Sequence, residues 1–449
     1  MATMVQEAYR PTQTHHEVTR DVVNTLGNPG RGYLMLLGGA VAMFLVGAVT
    51  FIMLLKDGLG LAGYAPPIMW SVYITTFVFW VGIGHAGTLI SAILFLFRSP
   101  WRTAVYRATE AMTVFAVMTA GLFPIIHIGR QWFFYWLLPY PNQRFLWPNF
   151  KSPLIWDVFA ISTYLTVSTT FLCVGLVPDV AAARDQMAGW RQKLYSVFSL
   201  GWKGTDNQWR HYTRAYLYLA ALATPLVLSV HSVVSWDFAM SIVPGWHGTI
   251  FAPYFVAGAI YSGVGMVFTL LIPLRKALKI EHMIGDYHFD NLAKLTLLTG
   301  SILFYAYMME YFVAWYSGNI FEQTTFFRRA FGPMWWAGWT MIICNAFVSQ
   351  LFWFKKIRTN LTALFVISIF INVGMWFERY VIIVSSLSND YEPWAWGIMT
   401  PTWADWGILM GSFGWFSMWF LLFARTFPVV AIQEIKETIP MPRLKKGGH

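Results

Sequence analysis

The sequence predicts an all-α integral membrane protein with ten transmembrane helices. Of its 449 residues, 57% are hydrophobic and only 12% are charged. The apolar residues fall into ten long segments, and each has enough residues to cross about 30 Å of hydrocarbon as a helix. Trp and Tyr gather at the ends of these segments, which is typical of an interfacial aromatic belt. Helices this numerous and this apolar can be accommodated only in lipid.

Ten stretches of mainly apolar sequence are predicted to span the membrane. In chain order, segments 1 to 10 are Leu34–Leu55, Ile68–Phe97, Ala104–Ile128, Leu154–Val177, Ala215–Trp236, Ile250–Leu274, Leu292–Tyr316, Met334–Phe354, Leu361–Val384 and Trp406–Ala424. Segments 2 and 6 contain the similar stretches Gly82-Ile83-Gly84-His85 and Gly263-Val264-Gly265-Met266. These stretches suggest a duplication, although chance similarity between apolar segments would produce the same pattern.

If the duplication is real, the chain has two four-helix bundles. The first would comprise segments 2 to 5 (68–236) and the second segments 6 to 9 (250–384). Segment 1 (34–55) and segment 10 (406–424) would flank them as peripheral helices.

The positively charged residues are distributed asymmetrically, which predicts the orientation. If the segments alternate in direction, the loops and termini on one side of the membrane carry 22 Lys and Arg and those on the other carry 6. By the positive-inside tendency, the N-terminal arm (1–33) and the basic tail (425–449) both lie in the cytoplasm. The net charge of +10 is therefore a consequence of topology and does not indicate nucleic-acid binding. We expect the cytoplasmic (inner) membrane of a bacterium.

Cysteine and histidine usage argues against a bound metal in this chain. Cys173 and Cys344 are the only cysteines, and both lie inside apolar segments, so they cannot form an iron–sulfur or zinc site. The c-type haem motif C-x-x-C-H is absent. No single segment holds two histidines of the kind that ligate paired haems. We therefore predict no metal site, no haem and no iron–sulfur cluster.

The outer ends of segments 3, 4 and 5 collect polar and aromatic residues that are costly to place in a membrane. An ionisable side chain at a helix centre costs roughly 2.5 to 3.5 kcal/mol, so such groups usually mark a function. The residues that share this location are His127, Arg130, Trp156, Asp157, His231, Asp237 and His247. We expect them to form one site in the first bundle.

A carboxylate and an imidazole beside aromatic walls suit a quinone. The two ring oxygens need hydrogen-bond partners, and oxidation of a quinol releases two protons to nearby bases. Asp157 and His127 are the predicted catalytic bases, with Arg130 holding Asp157 ionised or binding developing negative charge. The simpler alternative is that Asp157 caps segment 4 and pairs with Arg130, while His127 bonds a backbone carbonyl.

Further ionisable residues lie away from this cluster. His85 falls near the middle of segment 2, whereas Glu310, Glu378, Arg379 and Asp405 lie toward the outer side of the second bundle and segment 10. These five residues are candidates for a proton path. They would equally serve as buried hydrogen-bonding groups that pair with one another.

Several stretches of the sequence resemble a known family. They are PIIHIGRQWFFYW (124–136), WDVFAISTYL (156–165) and SVHSVVSWDFAMSIVPGWHGTIFAPYFVAGAIYSG (229–263). Together with the ten-segment plan, they resemble the NrfD/PsrC membrane subunits, and within that family the ActC subunits of bacterial alternative complex III. The resemblance extends over residues 30 to 430.

The resemblance implies a subunit without its own redox cofactor that oxidises menaquinol at the periplasmic face. Electrons would pass to a periplasmic ActB-like iron–sulfur subunit and on to c-type haem subunits, beside a homologous ten-helix ActF-like subunit. The quinol-site roles of the family carry over to His127 and Asp157, and less directly to Arg130, Asp237 and His247. Glu310 stands where a second His would be needed, so the resemblance does not imply a second quinol site or a route for proton translocation in the second bundle.

Three other interpretations remain open. A related subunit would work as the quinone-reducing membrane anchor of a molybdopterin or polysulfide-type reductase. A secondary transporter would also show an apparent repeat and buried charges, although here the polar groups gather at one face rather than at the midplane. A purely structural anchor would not need the His and Asp cluster.

Overall fold

The computed structural model describes residues 14–27, 29–139 and 148–439. Residues 1–13 of the predicted arm and 440–449 of the predicted tail lie outside the described residues. Within the described ranges the regular secondary structure is helical, apart from one isolated β-bridge between Ala65 and Ile68. Nine of the described helices are long and apolar enough to cross a membrane. The prediction of an all-α, multi-pass membrane protein is therefore confirmed.

The helices that correspond to the predicted segments are named α1 to α10. Their bounds are Arg31–Asp57 (α1), Val72–Thr88 (α2), Tyr106–His127 (α3), Pro153–Arg184 (α4), Asp206–Ala239 (α5), Phe251–Leu278 (α6), Asp286–Tyr316 (α7), Trp335–Ile342 (α8), Leu361–Tyr380 (α9) and Trp403–Thr426 (α10). The π-helical turns Leu89–Ile93 and Val381–Ser385 extend α2 and α9. Shorter helices lie between or beside them at His15–Thr25, Trp190–Phe198, Ile320–Phe331 and Ile432–Thr438.

Segment 8 is the one predicted segment that does not form a single long helix. After α8 the chain makes a π-helical turn, Ile343–Phe347, and then a 3-10 helix, Val348–Trp353. The turn carries Asn345, whose side-chain amide donates to the Tyr307 hydroxyl at 2.9 Å and to Glu378 at 3.3 Å. Residues that leave the regular helical pattern in this way often serve a buried polar site. The π-helical turn therefore lies where Asn345 makes two buried hydrogen bonds. The apolar pattern of segment 8 did not predict this interruption of the helix.

The long helices form two four-helix groups joined through α2 and α6. Helices α2 to α5 pack on one another, and so do α6 to α9. The glycine stretches that suggested the duplication lie at the junction, because Gly82 faces Ser262 and Gly263 faces Ala86. Small residues let two membrane helices approach closely, which strengthens their dispersion contacts. The two similar stretches thus hold the two groups together.

Helices α1 and α10 pair with each other on the side of α3 and α2. The backbones meet where Gly47 of α1 faces Gly411 of α10, and Gly407 faces Thr50. Few residues of α1 are buried, so most of this helix faces the surrounding lipid. The close approach at these glycines lets α1 and α10 pack directly against each other.

The loops that follow odd-numbered helices meet on one face of the molecule, as alternating helices require. Tyr64 contacts His127, the Gly63 N–H donates to Asp405 at 2.9 Å, and the Gly245 N–H donates to Glu322 at 3.0 Å. We call this the loop-rich face. The charge asymmetry predicts that this face is periplasmic.

A buried ionic network closes the first bundle at the opposite end. The Arg107 guanidinium donates to Glu110 at 2.9 Å, to Asp179 at 3.1 Å and to the Gly175 carbonyl at 2.6 Å. The helix Ile432–Thr438 covers this network, since the backbone N–H of Gln433 donates to Asp179 at 3.1 Å. Because the guanidinium is paired with carboxyl groups and all of these groups are hydrogen-bonded, a network of this kind is tolerated in the interior.

Replacing Arg107 by Leu is expected to destabilise the protein strongly. The Arg107 side chain is 1% exposed, and its loss leaves Glu110 and Asp179 buried without their cation. Breaking such a buried pair costs about 3–5 kcal/mol. The measurement is the thermal unfolding midpoint of the purified protein in detergent. Arg20→Leu is the control, because the Arg20 side chain is 57% exposed and pairs with Asp21 at 3.8 Å; equal midpoints for the two variants would contradict a stabilising network.

Candidate functional site

A cavity of about 290 Å³ opens among α2, α3, α4 and α5 near the loop-rich face. Its walls are mainly apolar and aromatic, and the 3-10 segment Gln131–Leu137 contributes residues at the end of α3. The lining residues are Trp70, Ile74, Phe77, Val78, Gly121, Pro124, Ile125, His127, Ile128, Phe134, Leu137, Leu138, Leu154, Asp157, Val158, Ile161, Ser162, Asp237 and Phe238. The titratable residues in this lining are His127, Asp157 and Asp237, and all three are residues that the sequence predicts for the site.

The carboxyl groups of Asp157 and Asp237 both line the cavity and lie close enough to interact with each other. Asp157 lies one turn into α4, and Asp237 lies in the last turn of α5, so the antiparallel helices bring them to the same level. Asp157 is buried, and the Oδ1 atom of each residue has no hydrogen-bond partner in the protein. Two neighbouring carboxyl groups in an apolar wall favour sharing one proton. The pair therefore places two groups that can exchange protons at the cavity wall.

His127 is held by a residue that the sequence did not single out. Its Nδ1 lies 2.8 Å from the hydroxyl of Tyr64, which comes from the loop between α1 and α2. The two rings also lie against each other, with centroids 5.6 Å apart. The contact occupies one imidazole nitrogen and leaves Nε2 available to a ligand. Tyr64 lies outside every apolar segment, so no sequence pattern related it to His127.

Four residues predicted for the site lie outside the cavity lining, namely Arg130, Trp156, His231 and His247, and His231 is described separately below. Arg130 is exposed, and Asp157 has Asp237 rather than Arg130 as its partner. The indole of Trp156 donates to the Phe150 carbonyl at 3.0 Å, away from the cavity. His247 is exposed, and its Nδ1 lies 3.6 Å from Glu322. Adjacent positions on a helix point in different directions, which explains why Trp156 and Asp157 separate.

The simpler alternative for Asp157, a helix cap paired with Arg130, is also wrong. Helix α4 begins after Ser152, without a side-chain cap, and Asp157 lies inside the helix. Its partner is a carboxyl group and not a guanidinium. The Asp157 side chain is therefore placed for contact with the cavity and not for ending a helix.

His231 lies deeper than predicted and packs against His85. The two imidazoles are fully buried, with ring centroids 4.5 Å apart, and neither residue lines the cavity. His231 precedes Asp237 by six positions in α5, which corresponds to about 9 Å along the helix. The Nδ1 atom of His85 donates to the Val81 carbonyl at 2.7 Å, while both nitrogens of His231 have no hydrogen-bond partner in the protein. The structure thus groups His231 with the deeper residue His85.

The ionisable residues of the second bundle form a separate buried group. Glu378 accepts hydrogen bonds from Tyr307 and Asn345, and its other oxygen lies 2.9 Å from Arg379. The Arg379 guanidinium stacks over Phe255 of α6, 4.4 Å from the ring centroid. Glu310 on α7 is half-buried and has no hydrogen bond to this group. The expected mutual pairing therefore holds for Glu378 and Arg379.

Asp405 caps a helix. Its Oδ2 accepts the backbone N–H of Thr402 at 2.8 Å and that of Gly63 at 2.9 Å, and Thr402 is the N-cap residue of α10. This arrangement is a capping box that also ties the loop after α1 to α10. The geometry accounts for the buried carboxylate at this position without a role in proton movement.

In the described ranges, no three His, Cys, Asp or Glu side chains come together in a way that would hold a metal ion. The cavity instead combines a long apolar wall with three groups that donate, accept or exchange protons. Ligand sites commonly have this composition, since apolar walls supply affinity and a few polar groups fix orientation. The ligand that fits is a largely apolar molecule with polar atoms at its ends.

The described helices and the cavity between them define a multi-pass membrane protein with an internal ligand site. The family model described as "Polysulphide reductase, NrfD" matches residues 60–388. The match covers more than half of the chain, and the protein belongs to this family. Every residue that lines the cavity falls within the matched range.

One curated relative is a putative dimethyl sulfoxide reductase membrane subunit from Halobacterium salinarum. It is 29% identical over 255 residues, which cover 56% of this chain. The same alignment covers 54% of the relative, so it spans about half the length of that protein. The matched family and this relative are both named for reductases, and the relative is named as a membrane subunit.

Replacing Asp405 by Ala is expected to lower stability without a direct effect on the cavity. The change removes the acceptor of two backbone N–H groups, and losing a helix cap costs about 0.5–2 kcal/mol. The check is the thermal unfolding midpoint in detergent, with the exposed Asp390→Ala as the matched control. An unchanged midpoint together with lower turnover of the assembled complex would instead return Asp405 to the proton-path candidates.

Proposed function

We propose that this chain is the quinone-binding membrane subunit of a respiratory reductase complex. The observation that carries the proposal is the cavity itself, in which His127 and the Asp157–Asp237 pair interrupt otherwise apolar and aromatic walls. A quinone ring has an oxygen at each end and needs two proton-exchanging partners. Its tail and ring edges need apolar contacts, which the lining residues supply.

The polar residues would act on the two ends of a ring. Asp157 and Asp237 would share a proton, and the pair would give that proton to a quinone oxygen or take one from a quinol. His127, held at Nδ1 by Tyr64, would bond the second oxygen through Nε2. The apolar walls keep bulk water away from the ring, which strengthens these hydrogen bonds. The Asp157–Asp237 pair would exchange the proton of one ring oxygen and His127 that of the other, while the two electrons pass to or from a partner protein.

Electrons would pass between the cavity and a partner protein on the loop-rich face. The segment Gln131–Leu137 lies beside the cavity and exposes Trp132 and Trp136, with 58% and 51% of their surface accessible. Phe134 and Leu137 from the same segment line the cavity. A periplasmic iron–sulfur subunit seated on this segment would be close to the ring. This placement assumes the predicted orientation, with both termini in the cytoplasm.

The family match and the curated relative favour a reductase anchor over the alternative complex III assignment. The partners of a reductase anchor would be an iron–sulfur subunit and a molybdopterin- or polysulfide-type catalytic subunit. The second candidate is menaquinol oxidation toward c-type haem subunits, beside ActB-like and ActF-like partners, and the stretches at 124–136 and 229–263 favour it. The content of molybdenum and of c-type haem in the purified native complex decides between them.

Replacing Asp157 by Asn is expected to slow quinone-coupled electron transfer at least about a hundredfold, because a positioned acid–base group typically contributes this much. Asparagine has nearly the same shape but cannot exchange the shared proton. The measurement is quinol-dependent reduction of the partner's redox centres, and the reverse reaction, at equal amounts of assembled complex. Asp390→Asn, an exposed carboxylate on the loop between α9 and α10, is the control.

Two outcomes would contradict the proposal. Full turnover by an assembled Asp157→Asn complex would remove Asp157 from the reaction. A wild-type complex that binds no quinone and reacts with none would favour a structural anchor or a transporter.

Replacing Tyr64 by Phe is expected to reduce quinone-coupled turnover about twofold to tenfold. The change removes one hydroxyl, and the net value of a hydrogen bond is about 0.5–1.5 kcal/mol. The KM for quinol and the maximal rate would be measured for Tyr64→Phe and for Tyr33→Phe. The Tyr33 hydroxyl bonds the Leu421 carbonyl at the opposite end of the membrane helices. An equal effect of both variants would mean that Tyr64 acts only on overall stability.

A further inference from the structure

A second cavity of about 430 Å³ lies between α1, α3 and α10, outside the first bundle. Small residues and aromatic side chains share its lining, and part of it opens toward lipid at Ile52 and Leu122, which are 62% and 41% exposed. We call it the outer groove. Its lining residues are Phe44, Gly47, Ala48, Phe51, Ile52, Thr119, Leu122, Phe123, Ile125, Ile126, Ile408, Gly411, Ser412 and Trp415.

The chemistry of the outer groove suits a hydrocarbon chain. No residue of its lining carries a charge. Its two hydroxyl groups are already used, since Thr119 donates to the Phe115 carbonyl at 2.7 Å and Ser412 donates to the Leu409 carbonyl at 2.7 Å. The indole Nε1 of Trp415 in this lining has no hydrogen-bond partner in the protein and leaves one donor there, but a charged headgroup would find no counter-charge in the lining. An apolar chain in the groove would cover surface that otherwise faces lipid, and it would pack against Phe51 and Phe123.

The groove is continuous with the candidate quinone cavity around α3. Ile125 lines both cavities. One turn earlier, Gly121 lines the quinone cavity, is exposed, and has no atom within 4 Å of the position that a Cβ would occupy. No side chain therefore projects from α3 at Gly121, which lies between the quinone cavity and Leu122 of the groove. A flexible chain that leaves the first cavity at Gly121 reaches the second along Ile125.

From this continuity we infer that the outer groove binds the isoprenoid tail of the quinone whose ring occupies the cavity at His127 and Asp157. The inference rests on the proposed function. The tail would pass over Gly121 and lie between α1, α3 and α10, with Ala48 and Gly47 at the base of the groove. The glycine contact between α1 and α10 holds the two walls at a fixed spacing. The peripheral helix pair would thus contribute to ligand affinity without contacting the reacting ring.

The test compares two quinols with the same ring in the detergent-purified native complex. Menaquinol carries a long isoprenoid tail, and menadiol carries none. Ala48→Trp fills the groove from α1, and Gly39→Trp is the control, because Gly39 is exposed on the same helix with open space around it. The measured quantity is the ratio of kcat/KM for menaquinol to that for menadiol.

In Ala48→Trp this ratio is expected to fall about tenfold, since losing the burial of a few methylene groups is worth that factor. Gly39→Trp should keep the wild-type ratio. An unchanged ratio in an assembled Ala48→Trp complex, with both quinols still oxidised, would overturn the tail site and leave the proposed function intact. If the wild-type complex reacts with neither quinol in either direction, the proposed function fails and the tail site fails with it.

A labelling experiment on the wild-type complex covers the case in which Ala48→Trp does not assemble. A menaquinone analogue with a photoreactive diazirine in the tail would be cross-linked, and the labelled peptides identified by mass spectrometry. Label on the peptides that contain Phe51 or Trp415, and displaced by excess menaquinone, is the expected result. Label on other peptides would overturn the inference. Label at the groove that phospholipid displaces and menaquinone does not would also overturn it, and would assign the groove to a lipid acyl chain.

Discussion

Every polar group inside the hydrocarbon region has to find its partner within the protein, and much of the structure follows from this constraint. At one end of the first bundle, Arg107 is surrounded by Glu110 and Asp179. In the second bundle, Tyr307 and Asn345 both bond Glu378. Helix α8 departs from regular α-helical form at the turn that carries Asn345. Packing of apolar faces sets the outline of the molecule, and these contacts set its local geometry.

At the candidate site this constraint is not fully met. The Oδ1 atoms of Asp157 and Asp237 lack a hydrogen-bond partner. Tyr64 contacts Nδ1 of His127, so Nε2 of that imidazole stays available to a ligand. Polar atoms kept in this state cost stability, and an incoming ligand with polar ends would satisfy them. The pair His85 and His231 also keeps unsatisfied nitrogens, at a deeper level of the same bundle. Proton movement through the membrane, if the complex performs it, would be sought first among these deeper groups.

Helix α3 has a central position because two cavities lie on adjacent sides of its outer half. His127 and Gly121 face the cavity of the first bundle, whereas Thr119 and Phe123 face the outer groove. Glycine contacts fix the spacing of two helix pairs near these cavities. One pair is α2 and α6, at the junction of the two bundles, and the other is α1 and α10, which meet at Gly47. The peripheral pair therefore belongs to the ligand-binding part of the proposed mechanism, and the family match from residue 60 onward leaves α1 outside the shared region.

The order of residues along the chain was enough to predict the membrane class, nine of the long helices and the three titratable residues His127, Asp157 and Asp237 that line the cavity. It was enough because apolar length and the rarity of buried charge are properties of single segments. Four contacts became visible only in the folded chain: the pairing of Asp157 with Asp237, the position of His231 beside His85, the contact of Tyr64 with His127 and the capping role of Asp405. Each of these depends on the rotation of one helix against another, or on a loop that carries no periodic pattern. Contacts between distant parts of the chain are decided by packing, which a local pattern does not contain.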